Sequence, residues 1–487
     1  MADIKFPRTK RYKKQMDKYA SVDCKHDSSL LPLSSAKMFY NFDISSGTLK
    51  RGYGVDSSPI VPKGAARYWV YRYYSESKGE YVDQYMYQYA NGLISRYDVD
   101  LEREIYVSGV SYNPVDAINY RLNSKDVILL TCEGKKLITW DGRKLTEYPE
   151  SPSISSMALH YERLFVTSRD ERTKVFFSKN LDPTQWEIGV DGGGFIELLD
   201  ERGFLNKVVS FGSYLYIFRD HGISRVTAYG DQTEFSVVNM FVTAGRIFPS
   251  SITTCGNCIM FMASDGLYVF DGYDCRRVLT NIFPAILPDD NCACAFFDGK
   301  YYLACRMKFD DGKVLGCEAD ADYKVNGLII YDPSDGEYSI SRGLDISFMR
   351  ACSYNGMDFL MCCEGGRGGV IERGAMRFEK RLIAYWESGD TDFGMPEKIK
   401  HLTDVAVYNN ITELHWDSSY GEYFNEIIKE LDLSICVDGD WYKMRIKANQ
   451  QNEVGLSLSG YKFAFSVETR QPNINAAPLS VKYSVYQ

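Results

Sequence analysis

The sequence predicts an all-β protein, a β-propeller of about seven blades followed by a small C-terminal β-sandwich. The first observation is the aromatic content, since 37 Tyr, 26 Phe and 6 Trp make up 14% of the 487 residues and aromatic side chains favour strands. The second is a recurring pair of short apolar runs joined by a turn rich in Gly or Asp. The third is the region beyond about residue 400, where apolar and polar residues alternate as in half-buried antiparallel strands.

The recurring pairs predict the propeller. They begin at residues 85, 127, 163, 214, 258, 301 and 359, and the intervals between them average about 46 residues. A period of about 40–50 residues with several short strands per unit is typical of a propeller blade. Residues 205–211 and 246–254 lie between hairpins and are candidates for inner strands. The alternative is an array of β-sandwiches with accidental spacing, because no blade motif repeats from unit to unit; a Trp-Asp dipeptide occurs in one unit only, at residues 140–141.

The domain organisation follows from these patterns. We expect a basic arm and extended segment over residues 1–54, the propeller over 55–395 and the sandwich over 396–487. An early strand within residues 65–71 is expected to pair with the last blade, since closing the ring removes exposed sheet edges. Residues 423–430 have some helical character. The predicted sandwich strands begin at Leu402, Ile411, Leu431, Trp441, Tyr461 and Leu479.

The charge distribution separates the N terminus from the rest of the chain. The whole chain has a net charge of −9. Residues 1–20 carry +5, so the other 467 residues carry −14. An acidic body is not typical of proteins that bind nucleic acid by neutralising phosphates. The basic segment is either a solvated start or an arm that reaches an acidic neighbouring subunit or phosphates. No secretory signal is expected, because no apolar stretch follows the basic residues. No membrane insertion is expected, because the longest apolar run, residues 258–263, is far shorter than a membrane span of about 20 residues.

No catalytic, cofactor-binding or metal-ligating residue is predicted, so the chain is expected not to be an enzyme. The five histidines form no metal or catalytic motif, and the Gly-rich residues 191–194 and 365–369 lack a phosphate-binding context. The best metal candidates are four thiols, which we interpret as buried free cysteines that bind no zinc. These thiols are Cys255, Cys258, Cys292 and Cys294.

Two further patterns are interpreted as turns. Ser178, Asp182 and Trp186 are comparable with the Asp-box turn of sialidases, but Asp182 is two residues late and the usual Gly is absent. The acidic pairs at 289–290 and 310–311 are expected to be solvated carboxylates in turns.

The N-terminal region resembles the opening of virion propellers of tailed phages. The resemblance rests on an apolar, Pro-containing start at residues 30–33, and then on Asn41, Gly47, Leu49, Arg51 and Gly54. A second match comprises the strand beginning at Arg163, the Phe-Ser at 177–178, the Asp-Pro at 182–183 and Trp186. The Gly-Ile and Gly-Leu hairpins at 222–223 and 266–267 also fit. The similarity covers residues 30 to about 280. Two departures are Gly52-Tyr53, where many relatives have Pro after the Arg, and the sandwich, which not all of them share.

This resemblance implies a structural role. The most similar group comprises packaged-DNA stabilisation and tail-hub proteins, which join head to tail near the portal vertex. We therefore expect a homo-oligomeric ring in the virion, six-fold first and twelve-fold second. It would be assembled in the host cytoplasm and would contact portal, adaptor or neck, and other tail proteins. Packaged DNA would be contacted non-specifically in a channel. Deleting residues 1–20 is expected to leave the propeller folded and to reduce incorporation into particles.

Two alternatives belong to other functional classes. The first is a glycan-binding or glycan-cleaving propeller of a receptor-binding tail structure, with aromatic platforms and paired carboxylates at the blade ends. The second is a cellular scaffold propeller, against which the N-terminal resemblance argues.

Overall fold

The computed structural model describes residues 9–57, 61–98, 103–132, 134–190, 192–308, 326–354, 356–417, 422–427, 431–446, 450–471 and 474–486. Regular structure in these residues is β-strand apart from four short 3-10 turns. The predicted all-β class is therefore confirmed. None of the helices in the described residues is long and apolar enough to cross a membrane.

Five short strands precede the first blade. They are β1 (Thr9–Gln15), β2 (Ala36–Tyr40), β3 (Phe42–Asp43), β4 (Leu49–Arg51) and β5 (Tyr53–Asp56).

Seven sheets then follow one another along the chain, in agreement with the seven predicted blades, and they are antiparallel except where β5 pairs with a strand of the seventh. Blade 1 comprises β6 (Ala65–Ser75), β7 (Glu80–Tyr89), β8 (Ile94–Asp98) and β9 (Arg103–Tyr106). Blade 2 comprises β10 (Pro114–Leu122), β11 (Lys125–Cys132), β12 (Leu137–Trp140) and β13 (Leu145–Tyr148). Blade 3 comprises β14 (Ile154–His160), β15 (Arg163–Ser168), β16 (Lys174–Phe177) and β17 (Gly194–Glu197). Blade 4 comprises β18 (Leu205–Phe211), β19 (Tyr214–Arg219), β20 (Gly222–Thr227) and β21 (Ser236–Val242).

The remaining blades have the same plan with small additions. Blade 5 comprises β22 (Thr253–Cys255), β23 (Cys258–Ala263), β24 (Gly266–Phe270) and β25 (Cys275–Val278). Blade 6 comprises β26 (Ile286–Leu287), β27 (Ala293–Phe297), β28 (Lys300–Met307), β29 (Asn326–Tyr331) and β30 (Tyr338–Arg342). Blade 7 comprises β31 (Ile346–Tyr354), β32 (Met357–Glu364), β33 (Arg367–Arg373), β34 (Met376–Arg377) and β35 (Lys380–Arg381).

Each predicted hairpin is the middle pair of strands of one blade. These strands are flanked on both sides within their sheet, and β23, for example, is buried at every residue, which explains its continuous apolar sequence. The predicted inner strand at 205–211 coincides with β18. The second predicted inner strand, at 246–254, is strand only from Thr253, where β22 begins. A 3-10 turn at Pro249–Ser251 occupies part of the segment before it.

The strand that closes the ring differs from the prediction. β5 pairs with β33 at the outer edge of blade 7, with Val55 opposite Ile371. The predicted closing segment at 65–71 instead belongs to β6, which pairs with β7 as the innermost strand of blade 1. The aromatic β6 is the more conspicuous strand in the sequence, whereas β5 is four residues long and contains Gly54. A Cβ at Gly54 would lie 2.2 Å from the backbone of Met376, so the closure requires glycine there.

The C-terminal strands form two sheets together with the N-terminal ones. These strands are β36 (Ala384–Ser388), β37 (Lys400–Asp417), β38 (Glu422–Ile427), β39 (Leu431–Val437), β40 (Asp440–Ile446), β41 (Gln450–Gly460), β42 (Phe463–Thr469), β43 (Ile474–Ala476) and β44 (Ser480–Tyr486). One sheet has the order β1-β44-β37-β43-β4-β3, with β38 and β41 also paired to β37, and the other has the order β2-β36-β42-β39-β40.

This arrangement corrects three expectations about the chain ends. The segment expected as an arm contributes strands to both sheets, since β1 pairs with β44 and β2 with β36. The runs beginning at Leu402 and Ile411 form the single strand β37. Residues 423–427 of the segment with helical character lie in β38, because pairing with β37 outweighs a weak local propensity, and residues 428–430 lie outside the described residues.

Buried apolar clusters join the propeller and the sandwich. Separate clusters fill the interfaces between blades 7 and 1, 1 and 2, 2 and 3, 3 and 4, and 4 and 5. The largest cluster runs from blades 5, 6 and 7 into the sandwich, and it includes Tyr19, Tyr301 and Phe465. The two parts therefore share a continuous core.

Candidate functional surfaces

The motif residues of the N-terminal region meet where the last blade contacts the sandwich. Arg51 is buried, and its guanidinium donates to the carbonyl oxygens of Ala375 at 3.1 Å and Leu382 at 2.9 Å. It also donates to the carbonyl of Thr469 at the end of β42, at 3.4 Å. One cation therefore satisfies backbone acceptors in blade 7, in the segment after it and in the sandwich.

Asn41 forms a second link in the same junction. Its side-chain amide donates to the carbonyls of Arg342 at 3.1 Å and Ile383 at 2.7 Å, and its oxygen accepts from the Arg342 amide at 2.8 Å. Its φ of 59° lies in the left-handed region, which Asn tolerates better than most residues. Leu49 is fully buried, and Gly47 has a φ of 74°. These motif residues have structural roles in the junction.

The second group of motif residues forms a turn in blade 3. The carboxylate of Asp182 accepts from the amide and hydroxyl of Thr184, at 3.0 and 2.6 Å. The Ser178 hydroxyl accepts from the amide of Leu164 at 3.0 Å, and Trp186 is buried. This agrees with the interpretation of the Asp-box-like sequence as a turn.

Side chains of the innermost strands connect blades that are not adjacent in the ring. Arg350 of blade 7 lies 3.4 Å from the carboxylate of Asp116 and donates to the Ala117 carbonyl at 3.1 Å, both in blade 2. This contact passes in front of blade 1, where Arg67 donates to the Pro114 carbonyl at 2.9 Å. These contacts connect the innermost strands of blades 7, 1 and 2.

The four candidate zinc ligands lie near one another between blades 5 and 6. Cys255 is opposite Cys258 in the β22–β23 hairpin, and Cys294 is in β27. Burial raises the pKa of every one of these thiols, to about 11 for Cys294. Protonated thiols are poor metal ligands. The described residues contain no group of three or more His, Cys, Asp or Glu arranged to hold a metal ion.

The remaining ionisable candidates are dispersed. His160 is buried in blade 3, His221 lies 3.2 Å from the Gly245 carbonyl, and His401 contacts Ser459 in the sandwich. Asp289 and Asp290 form ion pairs with Arg306 and Arg246. The acidic pair at 310–311 lies outside the described residues. Nothing among these groups combines a nucleophile with a positioned base.

The N-terminal basic strand lies at a sheet edge. β1 has the sequence TKRYKKQ, and every residue except Tyr12 is exposed. The Tyr12 ring stacks on Tyr483 at 5.2 Å and holds the strand against the sandwich. Its basic side chains therefore remain available to solvent while the backbone is paired with β44.

Blades 3 and 4 carry an unusual number of exposed apolar side chains. Val190 is 80% and Leu199 is 72% exposed. The loops bearing them lie against blade 4, because Gln232 donates to the Val190 carbonyl at 2.9 Å and Asn239 donates to Asp200 at 3.3 Å. We define the blade 3–4 apolar face as Ile188, Val190, Leu199, Val237, Val238 and Val242. Val237 and Val238 are consecutive in the edge strand β21 and point to opposite sides of its sheet. The exposed apolar side chains of these two blades are candidates for an interaction surface.

Comparisons with known proteins give structural neighbours only. No protein-family model and no curated protein matches the chain. The virginiamycin B lyase of Staphylococcus aureus is 10% identical with a TM-score of 0.41, over 66% of this chain and 99% of the lyase. BBS1N in its complex with ARL6DN is 10% identical with a TM-score of 0.39, over 67% of this chain and 96% of that one.

A third neighbour has broader coverage of this chain. The extracellular domain of a putative one-component system from B. thetaiotaomicron is 12% identical with a TM-score of 0.41, over 91% of this chain and 62% of that one. Identities this low carry no information about activity. The propeller assignment rests on the strand pairing described above.

Proposed function

We propose that the chain is a non-enzymatic structural protein of a tailed-phage virion. It forms a homo-oligomeric ring at the portal, neck or tail hub, joins head to tail and helps to retain or conduct packaged DNA. The observation that carries the proposal is the junction. The resemblance to virion propellers rests on residues that act there: Arg51 links blade 7 to the sandwich, Asn41 links the end of blade 6 to the segment after blade 7, and Gly54 permits the closure of the ring.

The proposed ring uses the blade 3–4 apolar face as a subunit contact. A second copy of the chain would cover these four valines, Ile188 and Leu199, which a monomer leaves in water. Six-fold symmetry is our first choice and twelve-fold the second, because a closed ring requires the same contact to repeat. Portal, adaptor and tail proteins would contact the two ends of the ring.

The proposed path of DNA lies on the axis of the oligomer. Subunits whose residues 21–487 carry −14 would line the ring with negative charge, which repels DNA weakly and lets it slide. The basic side chains of β1 could bind acidic neighbouring subunits or phosphates. Salt should weaken such contacts, since they are solvent-exposed.

Native mass spectrometry of the purified protein tests the ring. We expect an assembly of six or twelve chains of 55.6 kDa each, and we expect Leu199→Asp with Val238→Asp to convert it to monomers. The matched control is Tyr106→Asp with Val110→Asp, which places the same two negative charges at exposed apolar positions at the end of blade 1 and between blades 1 and 2. A wild-type monomer at all concentrations, or equal disruption by the control, would contradict the proposed contact.

A further inference from the structure

A groove of about 370 Å³ lies on the outer face of the smaller sandwich sheet, beside the β39–β40 turn. Ala464, Cys436 and Trp441 are direct neighbours across three strands, which places them in one row on the same face. Glu387 of β36 is opposite Ser466, one position along the sheet. Ala464 and Glu387 are buried at the bottom of the groove, and Trp441 lines it from the edge strand.

The polar groups of the groove are held in place by the protein itself. A Glu387 oxygen accepts from the Tyr385 hydroxyl at 2.6 Å, and the other oxygen lies 3.7 Å from the Lys37 ammonium. Asp390 accepts from the Ser28 hydroxyl at 2.7 Å. A carboxylate has about four lone-pair sites, so these contacts leave it able to accept from a ligand. The groove is thus preorganised, which lowers the cost of binding.

We propose that this groove binds a neutral saccharide. A sugar ring has an apolar C–H face, which can lie on the Trp441 indole. Its hydroxyls both donate and accept, so they can donate to Glu387 and Asp390 and accept from Lys37. The pocket volume falls within the range of about 300–1,000 Å³ that is usual for small-ligand sites.

The charges of the groove favour a neutral ligand over an ionic one. The lining contains the carboxylates of Glu387, Asp390 and Asp438 and the ammonium groups of Lys37 and Lys462. The buried carboxylate of Glu387 opposes an anion, and the nearby Lys37 opposes a cation. The hydroxyls of a neutral sugar can bond to the carboxylates and to the ammonium groups, and the sugar has no charge of its own that must be desolvated. This inference goes beyond the virion role, since a monomer would carry the groove as well.

An array of defined mono- and oligosaccharides, probed with the intact labelled protein, tests the proposal. We expect binding to a small set of glycans, and calorimetry with the best of them should show an affinity loss of about tenfold or more for Trp441→Ala. Glu387→Gln keeps the side-chain shape and should also weaken binding. The control is Tyr442→Ala, which removes an exposed aromatic ring from the opposite face of the same strand.

Unfolding curves of each variant establish that the sandwich is intact. The proposal is overturned if the wild-type protein binds no glycan on the array. It is also overturned if folded Trp441→Ala binds as tightly as the wild type. Ring formation by Trp441→Ala is expected to be normal, so failure of the groove and failure of the ring contact give different results.

Discussion

Replacing Arg51 should weaken the junction between the propeller and the sandwich. The side chain is buried, and it donates at 2.9–3.4 Å to four backbone carbonyls, those of Leu382, Ala375, Gly374 and Thr469. The two shortest bonds are each worth about 1.5–2.5 kcal/mol, since the donor is charged. Arg51→Met leaves these carbonyls buried without their donor. We therefore expect a loss of about 3–5 kcal/mol in the free energy of unfolding.

Urea unfolding followed by tryptophan fluorescence measures this loss. Arg51→Lys keeps the charge but cannot reach all four acceptors, so it should lose about 2–3 kcal/mol. Arg143→Ala is the control, because Arg143 is exposed in the outer turn of blade 2. If Arg51→Met unfolds within about 1 kcal/mol of the wild type, the worth of one neutral hydrogen bond, the junction does not depend on this residue.

Three further predictions concern pH, metal and the basic strand. Burial lowers the pKa of His160 to about 4, so the unfolded chain binds a proton more readily than the folded one. The contribution of this residue to the free energy of unfolding is therefore complete above about pH 6.5 and is lost as the pH falls towards 4. His160→Gln should reduce the difference in unfolding free energy between pH 7 and pH 4.5 by at most about 3 kcal/mol, and an unchanged difference would contradict the assignment. Elemental analysis should find no stoichiometric zinc at the four thiols, and one Zn per chain would overturn that expectation. Deleting residues 1–20 should destabilise the sandwich because it removes Tyr19, which packs on Trp386 with ring centroids 4.9 Å apart. Replacing Arg11, Lys13 and Lys14 by Gln should preserve folding and reduce incorporation into particles. If the deletion variant is as stable as the wild type, residues 1–20 do not stabilise the sandwich. If the Gln variant enters particles at the wild-type level, the basic side chains of β1 have no role in assembly.

The blades were predictable because their signal is local. The middle strands of each blade are adjacent in sequence and are buried by neighbouring blades, so β23 and β24 appear as continuous apolar runs around Asp265-Gly266. Outer strands such as β13 are short and mostly solvent-accessible, which leaves little apolar pattern. The number of blades therefore followed from the hairpins alone.

The closure and the sandwich were predicted less well because they depend on distant pairing. β5 pairs with β33 more than 300 residues away, and β1 pairs with β44 at the other end of the chain. Only Tyr12 of β1 faces apolar surroundings, so the sequence around it has the composition of a solvated arm. No local propensity encodes such contacts.

The groove could not be predicted for the same reason. Glu387 and Trp441 lie on strands that are far apart in sequence, and their proximity follows from the order β36-β42-β39-β40. A search for paired carboxylates within short segments cannot find such a site. The aromatic residue of β40 is the one local signal, and it does not distinguish a binding surface from an ordinary strand, since aromatic side chains favour strands in general.

Cryo-electron microscopy of purified virions from a phage that encodes this chain tests the virion assignment most directly. We predict a ring of six, or else twelve, propellers around the axis of the portal, neck or tail hub. DNA should lie on the ring axis outside each propeller, and the blade 3–4 apolar face should be buried between subunits. Absence of the protein from the particles, or its presence only as isolated copies away from that axis, would contradict the proposal.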